Sequence, residues 1–227
     1  MEGKIMLQEG IRFFNIKRWT KALEAFLQVE VNEKSDEAVE LAYYLGLCYI
    51  KLERYDEALL YLEQVITANK YPPRVYQCRL AVAYVYTITN RAKLAQFELE
   101  HVINTSSETP QLYLIMGFAA WKEKQYNKAI ECYGKALKMD ERNATALNGL
   151  GYILVDTDIN ITQGISFCKK AVNTNPRNAA YLDSLGWAYF KNGNFSEATN
   201  WLRKALDAAP QPQQKEIRNH IKIVAGV

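Results

Sequence analysis

Leu182-x-x-Leu185-Gly186-x-x-Tyr189, followed by Ala198-x-x-x-Leu202, Ala205 and Pro210, is the stretch from which the fold can be read. Moving back 35 residues finds Leu147-x-x-Leu150-Gly151-x-x-Leu154, then Gly164-x-x-x-Cys168, Ala171 and Pro176. A further 34 finds Tyr113-x-x-Met116-Gly117-x-x-Ala120, then Ala129-x-x-x-Tyr133 and Ala136. Earlier copies run Leu45-Gly46, Tyr49, Ala58, Leu62, Val65 and Gly10, Phe13, Ala22, Phe26, Val29, with Val82-Ala83, Tyr86, Ala95, Leu99, Val102 between them. Self-similarity at such a period means stacked units, each burying its apolar face on the next.

The residue types have physical reasons. Each copy reads as two helices with a turn near Lys51–Tyr55, Lys122–Tyr126 or Lys191–Phe195. Gly at the eighth position and Ala at the twentieth are small because the two helices cross there, and a larger side chain would overpack the contact at about 1–3 kcal/mol. An aromatic at the seventeenth position (Trp19, Tyr55, Tyr126, Phe195) opens the second helix and covers the turn. Pro176 and Pro210 stop helices, since Pro lacks the N–H and clashes with the preceding turn. Elsewhere Asp140-Glu141-Arg142-Asn143 and Asn104-Thr105-Ser106-Ser107 supply the turn chemistry. The turn Asp156–Asn160 is one residue longer and should bulge, and Tyr71-Pro72-Pro73 should make an irregular joint, either a bend or a rigid loop.

The pattern resembles the tetratricopeptide repeat, a helix–turn–helix unit of about 34 residues. The resemblance implies an all-α fold: a right-handed α-solenoid of six repeats plus a C-terminal capping helix. The repeats run 3–36, 39–72, 76–109, 110–143, 144–178 and 179–212, with the cap at 213–225, as a single domain over 1–227. In the tail, Ile217, Ile221 and Val224 are spaced four then three, with Lys215, Arg218 and Lys222 on the other side, an amphipathic helix suited to closing the last repeat. The first repeat has no such cover, so Ile5, Met6 and Ile11 are candidates for exposure or for self-association into a homo-oligomer.

Composition excludes several classes. Lys and Arg number 28 against 25 Asp and Glu, a balance of +3 with no single-sign stripe, which argues against a nucleic-acid partner. No apolar run approaches the roughly 18 residues that span a bilayer. Cys48, Cys78, Cys132 and Cys168 are scattered, and His101 and His220 are the only histidines, so a metal site is hard to assemble and free buried thiols are expected. No phosphate-cradling loop and no His-based triad is apparent, so neither catalysis nor a cofactor is expected. The final repeats look like those of many bacterial multi-repeat proteins. The expected compartment is the cytoplasm if the chain is complete, or the periplasm if a leader has been removed.

Family members bind a partner segment on the first helices of successive repeats, at positions 2, 5, 9 and 12. Carried onto this chain, that face holds Tyr43, Leu47 and Ile50, then Leu80 and Tyr84, then Leu114, Phe118 and Trp121, then Asn148 and Tyr152, and finally Asp183, Trp187 and Phe190. The face is aromatic with few charges. It lacks the Lys and Asn clamp by which some members hold the acidic C-terminus of a chaperone: repeats one and two offer Leu7, Ile11, Tyr43 and Leu47 at those places. The expected function is a non-enzymatic scaffold or adaptor for an apolar or amphipathic segment. The alternatives are an assembly subunit of an oligomer or envelope complex that uses the solenoid ends, and the accessory domain of an enzyme.

Overall fold

The computed structural model describes residues 2–32, 35–105, 108–210 and 214–226, with side chains from residue 5 onward. Among them are thirteen helices and no strand. Twelve form hairpins in chain order: α1 (Glu2–Asn15) with α2 (Trp19–Leu27), α3 (Asp36–Lys51) with α4 (Tyr55–Ala68), and α5 (Pro72–Ile88) with α6 (Ala92–Thr105). Then come α7 (Pro110–Lys122) with α8 (Tyr126–Met139), α9 (Ala144–Asp156) with α10 (Ile161–Thr174), and α11 (Ala179–Lys191) with α12 (Phe195–Ala208). A last helix, α13 (Gln214–Ala225), follows. The chain divides into two compact units, Met1–Ser107 and Glu108–Val227, each holding three hairpins. The expected turn role of Ser106-Ser107, and the tail's first residue Gln213, lie outside the described residues.

Each hairpin closes where the template places its small residues. A Cβ added to Gly10 would lie 2.4 Å from the Phe26 ring, one on Gly46 2.7 Å from Leu62, and one on Gly186 2.7 Å from Leu202. Facing them, Ala22, Ala58, Ala129 and Ala198 are wholly buried. In the fifth hairpin Gly stands at both contact positions, and a Cβ on Gly151 would meet the Gly164 carbonyl at 2.9 Å.

Every hairpin turns through one residue with positive φ: Lys17, Glu53, Asn90, Lys124, Asp158 and Gly193. Side-chain caps start the first helices, where Ser35, Thr109, Asn143 and Asn178 each accept a hydrogen bond from a backbone N–H three residues on. In α5 Pro72 at the first turn takes that place. The longer turn before α10 alters this pattern. Asp158 carries the positive φ, Ile159 is thrown outward, and Asn160 caps α10 through Gln163 N.

In the first unit, Leu7, Phe26, Leu45 and Tyr49 form a core between the first two hairpins, and Leu62, Val65, Cys78 and Val82 form another between the second and third. Ion pairs such as Arg74–Glu40 (2.9 Å) and Lys70–Asp36 (3.0 Å) join residues 34 apart, so the sequence period is also a spatial contact. At the Tyr71–Pro73 joint Asn69 ends α4 with positive φ and α5 begins at Pro72. Of Ile5, Met6 and Ile11, Ile5 is exposed, while Met6 and Ile11 pack on the first core. In the second unit Tyr113, Tyr133, Leu150 and Ile153 fill the space between α7, α8 and α9. Val155, Cys168, Leu182, Leu185 and Ile217 carry the core on to α13.

Candidate functional site

Eight of the residues assigned to the binding face, from Leu114 to Phe190, lie in the second unit. Phe118 and Trp121 on α7, Asn148 and Tyr152 on α9, and Asp183 and Trp187 on α11 are spaced three or four apart, so each pair shares one face of its helix. Phe118, Trp121, Asn148, Tyr152 and Asp183 converge on one cleft of about 600 Å³. Phe118 stacks on Trp121 with ring centres 5.9 Å apart, and Tyr152 meets Trp121 edge-on at 5.8 Å. Burial pushes the Tyr152 hydroxyl well above its ordinary value, so the ring stays neutral. The side-chain oxygen of Asn148, which lines the same cleft, is buried with no hydrogen-bond partner among the described residues. A buried acceptor left unpaired costs about 1–3 kcal/mol.

The sequence reading missed one wall. Lys215, Glu216, Ile217 and Asn219 of α13 line the cleft beside α11. The amphipathic pattern foretold the helix but carries no record of where it docks. Tyr133 and Gly149 were missed as well. A Cβ on Gly149 would fall 2.5 Å from the Tyr133 ring, so that ring occupies the room a side chain would need. A glycine inside a helix and off the template was the available signal.

Trp187 does not stand free. Its ring stacks on His220 of α13 at 4.5 Å, and its Nε1 donates to Asp156 Oδ1 at 3.0 Å. Asp183, buried on the same face of α11, lies 2.9 and 3.0 Å from His220 Nδ1 through its two oxygens. Phe190 packs against Trp187 at 5.1 Å and meets Phe195 edge-on at 5.9 Å. These aromatics hold α13 and the last turn, while Phe118, Trp121 and Tyr152 face the cleft.

In the first unit Tyr43 and Leu47 are half-buried on α3, and Tyr84 is exposed on α5. Tyr43 donates to Gln77 Oε1 at 2.6 Å under the Arg74 guanidinium, so it ties α3 to α5. Leu80, read as part of the face, is instead buried at 2% exposure. All four cysteines are free and buried, and burial pushes the Cys48, Cys78 and Cys168 thiols up to about 12. Among the described residues no three His, Cys, Asp or Glu side chains gather as metal ligands, and no helix is long and apolar enough to cross a membrane.

Family models described as tetratricopeptide repeat match residues 7–75 and 179–212, and one described as TPR repeat matches residues 120–157. A TPR repeat-containing protein of Pseudomonas aeruginosa, PA4667, is 26% identical over 161 residues, 71% of this chain and 27% of that protein. The chain likewise spans only 19% and 29% of the next two curated relatives. Among solved structures, a tetratricopeptide repeat protein from Parabacteroides merdae matches with a TM-score of 0.79 at 10% identity, over 98% of this chain and 84% of that one. YrrB, described as a TPR protein with an unusual peptide-binding site, matches with a TM-score of 0.50 at 18% identity, over 90% of this chain and 97% of that one. Repeats of this type serve protein–protein interaction. With its period, its glycine crossings and these matches in agreement, the chain belongs to the tetratricopeptide repeat family.

Proposed function

We propose that this chain is a non-enzymatic scaffold that seats an apolar or amphipathic segment of a partner protein in the cleft of its second unit. The observation that carries the reading is the aromatic cleft itself, where rings from α7 and α9 meet. Phe118, Trp121 and Tyr152 offer rigid apolar area, and Asn148 lines the same cleft. Trp and Tyr are the residues most enriched where binding energy concentrates. The peptide-binding site in YrrB's description agrees with a repeat fold used in this way.

Peptides selected from a random display library on the full chain supply the probe. Replacing Trp121 by Ala should weaken a selected peptide by about 30-fold or more, the worth of one hot-spot side chain. Circular dichroism should be unchanged, because Trp121 lies on the cleft wall. Selected peptides that bind W121A and N148A as tightly as the native chain would refute the cleft as the site.

A further inference from the structure

The face of α11 that the family pattern offers to a partner is already occupied, and the occupant is α13. Two kinds of contact hold it. Ile217, 3% exposed, enters the core of the last hairpins, with Ile221 packed beside it. His220, 8% exposed, reaches both oxygens of Asp183 and stacks flat on Trp187. We propose that α13 is a pH-gated latch: protonated His220 holds it shut over Asp183 and Trp187, and deprotonation releases it. The proposal needs no partner and stands apart from the reading of the cleft above.

The surroundings favour the cation. Burial by itself opposes a charged imidazole, and it is the largest single influence. Against it work the hydrogen bond and charge of Asp183 on α11, Glu216 on α13 itself, and Asp156 on α9, which holds the Trp187 indole. All three are carboxylates, and together they raise His220 above the ordinary 6.5. The indole face beneath adds a cation–π attraction. A group raised in the folded state contributes fully below its unfolded value, and the contribution fades as pH climbs through the folded one. The latch is therefore shut in mild acid and loosens above about pH 6.5.

Loosening matters because, although α13 also packs along α12 through Ile217 and Ile221, His220 is its buried polar tie to α11. A helix of 12 residues is marginal in water without tertiary anchors, and here the buried anchors are Ile217 and His220. Release would bare Asp183 and Trp187 and remove the cleft wall formed by Lys215, Glu216 and Asn219. The same move converts a closed-ended cleft into an open acidic and aromatic face.

Backbone hydrogen exchange on the full chain tests this, with rates divided by their intrinsic values at each pH. Between about pH 6 and about pH 8.5, protection of the α13 amides should fall about tenfold or more, the worth of a charge-assisted hydrogen bond, while α11 stays protected. In H220Q and in D183N that pH dependence should vanish. The His220 ring resonances should titrate above 6.5, at the same midpoint as the loss of protection. The Cys168 thiol, near 12, is silent in this window. Constant α13 protection in the native chain, a fall that survives in H220Q, or a His220 midpoint at or below 6.5 would each overturn the latch. Should H220Q lose α11 protection as well, the ring titration in the native chain decides.

Discussion

Two glycines set side by side show what the repeat template reads. Gly151 occupies the crossing position, where a Cβ would lie 2.8 Å from Cys168 Sγ and 2.9 Å from a backbone carbonyl that cannot step aside. Gly134, mid-helix in α8, would meet nothing within 4 Å. The same substitution should therefore have opposite signs. G151A is expected to destabilise by about 1–3 kcal/mol through overpacking, and G134A to stabilise by about 0.5–1 kcal/mol by removing a flexible residue from a helix. Urea unfolding midpoints at constant m-value would show it. The spacing marks Gly151 and leaves Gly134 unmarked, so this distinction was legible before any coordinates. The part played by Gly149 was not, because its neighbour Tyr133 comes from the preceding hairpin and no local pattern joins them.

Among the elements, the long turn before α10 departs most from the family pattern. The second helices α2, α4, α8 and α12 start without a side-chain cap, whereas Asn160 supplies one to α10. The additional residue lets Asp158 take the left-handed turn while Asn160 reaches the helix start, and Lys191 of the next hairpin pairs with Asp158 at 2.8 Å. N160A should cost about 1 kcal/mol, and N194A at the uncapped start of α12 close to nothing, as measured by thermal or urea unfolding. The length of the turn was plain in the sequence, but its consequence was not. A bulge was the natural expectation, and the added residue serves a helix cap as well. The tail helix makes the same point in reverse: its apolar spacing required a buried face, but only packing brought His220 onto Asp183, 37 residues away.

Across the molecule, each unit is a series of cores between neighbouring hairpins, and no side chain serves them all. Damage should then stay local. Replacing the fully buried Leu202 by Ala should cost about 2–5 kcal/mol, and hydrogen exchange should place the loss in α11, α12 and α13 while α7 and α8 keep their protection. A uniform loss across the second unit would mean a more cooperative core than these clusters suggest. The sequence by itself determined the helices, their pairing and the crossing glycines, because these follow from contacts within one 34-residue period, repeated along the chain with glycine at the crossing in all copies but the third. It also put Phe118, Trp121, Asn148 and Tyr152 on one surface, since residues at equal places in successive repeats come to lie side by side. Only the tertiary structure decided that Trp187 and Asp183 answer to α13, that Leu80 is core, and that Asn148 Oδ1 is left without a donor. The first of these depends on α13, which has no counterpart in the repeats, and periodicity is silent about what occurs once.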